Sequence, residues 1–143
     1  MTVSVILNQK GREIVTLLPE ARLGDAVAKL AEKRIGAIVV VDAAMAVEGI
    51  ISERDVVRLL GERGVSALDE PLSAVMTHAV VTCTPEETIP VIMERMTRGR
   101  FRHVPVVSGD KLAGIISIGD VVKFRVEEME RESAQLRDYI MSA

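Results

Sequence analysis

The sequence is short of aromatic rings, of sulfur and of long apolar runs. Aromatic residues make up 2% of its 143 residues, Trp is absent, and Phe101, Phe124 and Tyr139 are scattered. Single-stranded nucleic acid needs stacking platforms, so it is not an expected partner. The formal net charge of −3 argues against nonspecific polyanion binding as well. One cysteine, Cys83, excludes an internal disulfide, and its apolar neighbours make it a small core residue. No stretch reaches the ~20 apolar residues of a membrane span, and no charged segment precedes an apolar core at the N-terminus. A cytoplasmic protein that does not enter the membrane is expected.

Catalytic patterns are missing too. There is no Ser-His-Asp or Cys-His arrangement, no Walker-type glycine loop and no GxGxxG. His78 and His103 each lack a second ligand at metal spacing. The expectation is a protein that is not an enzyme and holds no metal.

What is present is a soluble globular composition, 48% hydrophobic and 27% charged, with room for one compact domain or two very small ones. Val3, Ile6 and Leu7 have helical spacing, and Gln9 to Arg12 read as a loop. Ile14 to Leu17 is a short strand closed by Pro19. Apolar residues at 23, 26, 27, 30 and 31 predict a helix over Leu23 to Lys33, with Gly36 ending it. Ala37 to Val41 is a β-branched run to be covered on both faces, Val47 to Ile51 a second strand, and Glu53 to about Glu62 a helix. Val65 to Pro71 reads as a linker, with a helical turn possible at Ser73 to Met76. The pattern then restarts: a strand over Val80 to Cys83, a helix opened by the capping box Thr84-Pro85-Glu86-Glu87, strands over His103 to Val107 and Lys111 to Ile116, and a final helix from Ile118.

The restart is a repeat. Gly49-Ile50-Ile51-Ser52-Glu53-Arg54-Asp55 returns 65 residues later as Gly114-Ile115-Ile116-Ser117-Ile118-Gly119-Asp120. Thr16 and Thr82, and Pro19 and Pro85, are 66 apart. The fold class is therefore α/β (α+β), a β-α-β-β-α unit used twice, the halves packed about a pseudo-twofold axis because neither buries enough surface alone. The expected division is an N-terminal flank with the first repeat over 1–66, a linker over 67–76, the second repeat over 77–125, and a helical extension over 126–143.

Each motif is the end of a strand running into a helix. Ser52 with Asp55, and Ser117 with Asp120, fit a capping box. The same groups, beside the free N–H groups of a helix start, can grip a sugar and its phosphate. A carboxylate accepts two hydrogen bonds and so can hold a cis-diol.

This paired pattern, Gly-Ile-Ile-Ser-x-x-Asp after a Val-rich strand, resembles a tandem pair of CBS domains, the regulatory module named after cystathionine β-synthase. The resemblance implies clefts that bind adenosyl ligands such as AMP, ATP, S-adenosylmethionine or NAD(H). It implies Asp55 and Asp120 on ribose hydroxyls, Ser52 and Ser117 near sugar or phosphate, Ile50 and Ile115 against adenine, and the matched Thr16 and Thr82 beside them. Arg102 and His103 stand where similar proteins carry phosphate-binding bases, with Arg54 a further candidate. His103 would add charge below a reference pKa of about 6.5. The first repeat has Gly36 and Ala37 at the positions matching Arg102 and His103, so two unequal sites, or one working site, are expected.

In the last helix Val122, Val126, Met129, Ser133, Leu136 and Ile140 form a heptad seam that needs cover, preferentially from a second chain in a homodimer. The sequence thus reads as a nucleotide-sensing module that signals to an unidentified regulated protein. The alternative is a ligand-independent module that assembles through the repeats and this helix.

Overall fold

The structure is a computed structural model and describes residues 1–142. The order of elements is α1 (Val3–Lys10), β1 (Thr16–Leu17), α2 (Leu23–Lys33), β2 (Ala37–Val41), β3 (Val47–Ser52), α3 (Glu53–Arg63), a 3-10 helix (Val65–Asp69), α4 (Leu72–Val75), α5 (Ile89–Gly99), β4 (His103–Ser108), β5 (Lys111–Ser117) and α6 (Ile118–Ser142). In the first sheet β1 runs parallel to β2 and β2 antiparallel to β3. In the second, β4 and β5 form an antiparallel hairpin.

The repeat is visible in the backbone. Leu17 pairs with Val40, and Cys83 with Val106, each partner displaced by 66 residues. Register shifts at Val40/Val41 and at Val106/Val107 match in the same way. One expected strand does not form: Val80 to Cys83 is reduced to the single Cys83 bridge, fixed by the Cys83 and Val107 N–H groups. Burial pushes the Cys83 thiol up to about 12, with Glu87 adding to the rise, so it stays protonated.

The helix expected from Thr84 starts later, at Ile89, with Thr88 as N-cap and Pro90 in its first turn. A helix beginning at Pro85 would need an N–H at position 90, and the Pro90 ring would strike the carbonyl four residues back. The Thr84–Glu87 segment is instead a turn in which the Glu87 carboxylate accepts the Thr84 N–H at 2.9 Å and pairs with Arg95. The helix ends differ as well. The left-handed residues that close α2 and α5 are Arg34 and Arg100, with φ of 52° and 56°; the Gly36 expected to end α2 lies two residues beyond Arg34.

Two cores form, and each draws on a flanking segment. The first joins Leu23, Leu30, Ile38, Ile51 and Leu59 to Leu72 and Val75 of α4. The second joins Ile89, Ile92, Val104, Ile116 and Phe124 to Val3, Ile6 and Leu7 of α1. Val39, Val41 and Leu112 pack together between the two sheets and join the halves. β2 is buried along its whole length, as its composition implies.

Only the start of α6 is in the core, through Val121 and Phe124. Further along, Val126, Met129, Leu136 and Ile140 are all exposed. The seam is not folded back on its own chain. No helix among the described residues is long and apolar enough to cross a membrane.

The two motif glycines are close-approach positions. A Cβ on Gly49 would lie 2.5 Å from the Met76 sulfur, and one on Gly114 would lie 2.7 Å from Leu7 Cδ2. Gly114→Ala is therefore expected to cost about 1–3 kcal/mol through overpacking, and Leu7→Ala about 2–5 kcal/mol. Shortening Leu7 makes room for the added methyl, so the double variant should lose less than the sum of the two. Urea denaturation of all four proteins checks this; strictly additive losses would mean that α1 does not dock on β5 as described.

Candidate functional site

Both strand-to-helix junctions carry complete capping boxes. Ser52 N–H donates to Asp55 Oδ2 at 2.9 Å, and Asp55 N–H donates to Ser52 Oγ at 3.2 Å. The Ser52 hydroxyl also donates to Asp55 Oδ2, at 2.9 Å. At the second junction Ser117 N–H reaches Asp120 Oδ2 at 2.9 Å, and Asp120 N–H reaches Ser117 Oγ at 3.1 Å. Each junction is also held to the strand entry of its own repeat, Glu53 N–H on the Gly36 carbonyl at 3.0 Å and Ile118 N–H on the Arg102 carbonyl at 2.8 Å.

A cavity of about 370 Å³ opens at the first junction only in part from its own repeat. Ile50, Ser52, Arg54 and Asp55 form one side, and Arg100, Phe101, Arg102 and His103 come from the second repeat. Thr77 and residues 79–81 close the third side. They are carried there by the backbone bridge between Ile50 and Thr77, whose two N–H groups donate to each other's carbonyls at 3.0 Å. The volume lies within the range of about 300–1,000 Å³ usual for small-molecule sites. A shallower hollow continues past Arg54, Arg100 and Arg102 towards Met96 and Ile118.

The charge around this cavity is positive, although the chain is acidic. Arg54, Arg58, Arg100 and Arg102 face Glu53 and Asp55. Arg58 is engaged with Asp55 at 3.5 Å and Glu62 at 3.6 Å. Among the described residues Arg54, Arg100 and Arg102 enter no ion pair, so three guanidinium forks are left for an anion. Arg100 holds its place in the left-handed conformation that closes α5, an unfavourable one for a residue with a Cβ.

Of the residues singled out in the sequence, Ile50, Ser52, Arg54, Asp55, Arg102 and His103 meet in this cavity, while Thr16, Thr82, Ile115, Ser117 and Asp120 do not line it. Thr16 pairs with Val39 in the first sheet, and the Thr82 carbonyl accepts from Arg95 at 3.3 Å. Ile115, Ser117 and Asp120 lie at the second junction, which α1 covers: Lys10 Nζ is 2.6 Å from Asp120 Oδ2 and 2.9 Å from the Ile115 carbonyl. Burial raises the Asp120 pKa, but the hydrogen bonds from Lys10 and Ser117 outweigh it and hold the carboxyl below its usual value. Gly36 and Arg102 are matched positions of the two repeats, expected in separate sites. They line one cavity, and a Cβ on Gly36 would stand 3.0 Å from the His103 ring. Glu53, Arg58, Thr77, Val80 and Val81 were not anticipated there.

A model of the CBS domain matches the chain twice, over residues 11–62 and 72–127. The chain belongs to the CBS domain family. A CBS domain-containing protein from Agrobacterium tumefaciens is 48% identical, superimposes with a TM-score of 0.83, and covers 87% of this chain and 92% of its own. The mitochondrial CBS domain-containing protein CBSX3 of Arabidopsis thaliana is 33% identical over 97% of this chain and 71% of its own length. A CBS domain protein from Pyrobaculum aerophilum, solved in complex with AMP, is 29% identical with a TM-score of 0.75, over 84% of this chain and 89% of its own. The chain is thus a CBS pair, and its two CBS repeats present unlike junctions, one open and one covered.

His103 sits between the two. Burial lowers its pKa below 6.5, against the opposing pull of Glu53 and Asp120, so its charge appears only at more acid pH than the reference value suggests. The unfolded chain therefore takes up this proton first as the pH falls. The stability held by neutral His103 is whole above about pH 6.5 and is lost below it, towards the folded pKa. Denaturation midpoints measured from pH 7.5 down to 5.5 should fall less steeply in His103→Gln than in the wild type; equal slopes would place the imidazole in solvent.

Proposed function

We propose that this CBS pair is a nucleotide-sensing regulatory module, without catalysis of its own, that binds AMP or a related adenosyl ligand in the cavity between its repeats. One observation carries the reading: a helix-capping carboxylate and three guanidinium groups that enter no ion pair among the described residues surround a cavity of ligand size. The ribose hydroxyls go to Asp55, whose Oδ2 is held by Ser52 while Oδ1 has only Arg58, at 3.5 Å. Adenine lies between Ile50 and the apolar segment Val80–Val81, and the 5′-phosphate lies towards Arg102, with Arg54 and His103 beside it. The AMP complex of the Pyrobaculum relative supports AMP as the first ligand to test. ATP and NAD(H) belong in the same panel, because their further phosphates would extend past Arg54 and Arg100.

A ligand seated here touches both repeats. It favours one placement of the halves by its difference in affinity for the two states, and a regulated protein reads that difference. The exposed seam of α6 supports a second property, a homodimer whose helices cover Met129, Leu136 and Ile140. If that seam were the whole function, the protein would be an assembly module, and adenosyl compounds would leave its thermal midpoint unchanged.

Calorimetric titration of AMP and adenosine tests the reading. The wild type should prefer AMP, and Arg102→Ala should lose about 1.5–3 kcal/mol of that preference while keeping most of its adenosine affinity. Equal binding of the two ligands by the wild type would remove Arg102 from the phosphate site. Deletion of residues 126–143, followed in sedimentation, should turn a dimer into a monomer; a dimer that persists would move the interface to the repeats.

A further inference from the structure

The two junctions share a motif and a cap, yet only the first opens on the cavity described. The difference lies in the segment that flanks each one. The 66-residue offset aligns Met76 with Lys10 and Thr77 with Gly11. In the first repeat the helix before the junction, α4, stops at Val75, Met76 covers Gly49, and Thr77 pairs with Ile50 through the backbone. The strand edge is satisfied by backbone groups, and Asp55 lines the cavity.

In the second repeat α1 runs on to Lys10 before Gly11, at φ 93°, closes it. Leu7, three residues earlier, takes the contact with the motif glycine, Gly114. The Ile115 carbonyl, counterpart of the Ile50 carbonyl, is left without a backbone donor from that segment and accepts from Lys10 Nζ at 2.9 Å. The same ammonium stands 2.6 Å from Asp120 Oδ2. Among the described residues Asp55 has no equivalent visitor, and its only cationic partner, Arg58, comes from its own helix.

We propose that Lys10 is a built-in occupant of the second cleft, closing it to the ribose hydroxyls that the first cleft takes, so that each chain binds one adenosyl ligand. The inference rests on the reading of the first cleft given above. Both an ammonium and a ribose hydroxyl can donate to this carboxylate, but the ammonium adds the attraction of opposite charges, which a neutral hydroxyl lacks. The lysine is also tethered, which sets its effective concentration in the millimolar range or higher. An adenosyl ligand at ordinary concentration loses that competition. The pair is not sealed in: the Lys10 and Asp120 side chains are 32% and 22% exposed, so removing the ammonium opens the carboxylate to solvent and ligand.

Lys10→Met keeps a long, helix-favouring side chain on α1 and removes the charge. In calorimetric titration with AMP, the wild type should bind one equivalent per chain. The variant should bind the first with unchanged affinity and a second more weakly, and Asp120→Asn placed on top of Lys10→Met should abolish that second event. Two equivalents in the wild type, or one in the variant, would overturn the proposal. Absence of binding by both proteins would instead overturn the reading of the first cleft. A ligand-free measurement keeps the two apart: the Asp120 carboxyl, followed by NMR titration, should move to higher pKa in Lys10→Met. An unchanged titration would show that Lys10 does not occupy the cleft in solution and would overturn the proposal whatever AMP does.

Discussion

A helix that begins where a buried strand ends brings its first N–H groups into the molecule, where they must find acceptors. In this chain that demand is met twice by a serine hydroxyl and an aspartate three residues on. These junctions fix where α3 and α6 leave their sheets and how β3 and β5 lie against β2 and β4. They also place a carboxylate at the edge of each repeat. The cap commits one oxygen of Asp55 to Ser52 and leaves the other with a single long contact, so the proposed ligand would not compete with the cap for the same atom.

The two repeats are completed by exchange. α1, at the chain's start, packs into the second core, and α4, between the repeats, packs into the first. In the aligned frame these flanking helices end one residue apart, α1 at Lys10 and α4 at Val75, and they finish the two junctions differently. One ends in a backbone bridge that leaves a cavity, the other in a lysine that fills the matching place. The two junctions thus differ in their flanks as well as in the motifs, where Arg54 of the first stands against Gly119 of the second.

Much of this was legible in the residues. The Gly-Ile-Ile-Ser-x-x-Asp repeat placed both caps, the β-branched run Ala37 to Val41 marked the fully buried strand, and the heptad spacing marked an α6 seam that its own chain leaves exposed. Local signals misled where a longer-range constraint overrode them. Thr84 and Glu87 look like a helix start, but Pro90 denies the helix its hydrogen bond and Arg95 claims the Glu87 carboxylate. Val80 to Cys83 has strand composition, yet only Cys83 reaches Val106. The sharing of one cavity by Gly36 and Arg102 was not legible at all, because it depends on how the pseudo-twofold axis brings opposite repeats together. The same holds for Lys10, 110 residues from its partner Asp120.

The central claim is that the open cavity between the repeats is where an adenosyl ligand sits. A crystal structure of the protein grown with AMP tests it most directly. The account predicts one nucleotide per chain, its ribose hydroxyls on Asp55 and its phosphate beside Arg102, with Lys10 still on Asp120. A nucleotide seated against Asp120 and Ser117, with the cavity at Asp55 left without one, would contradict it.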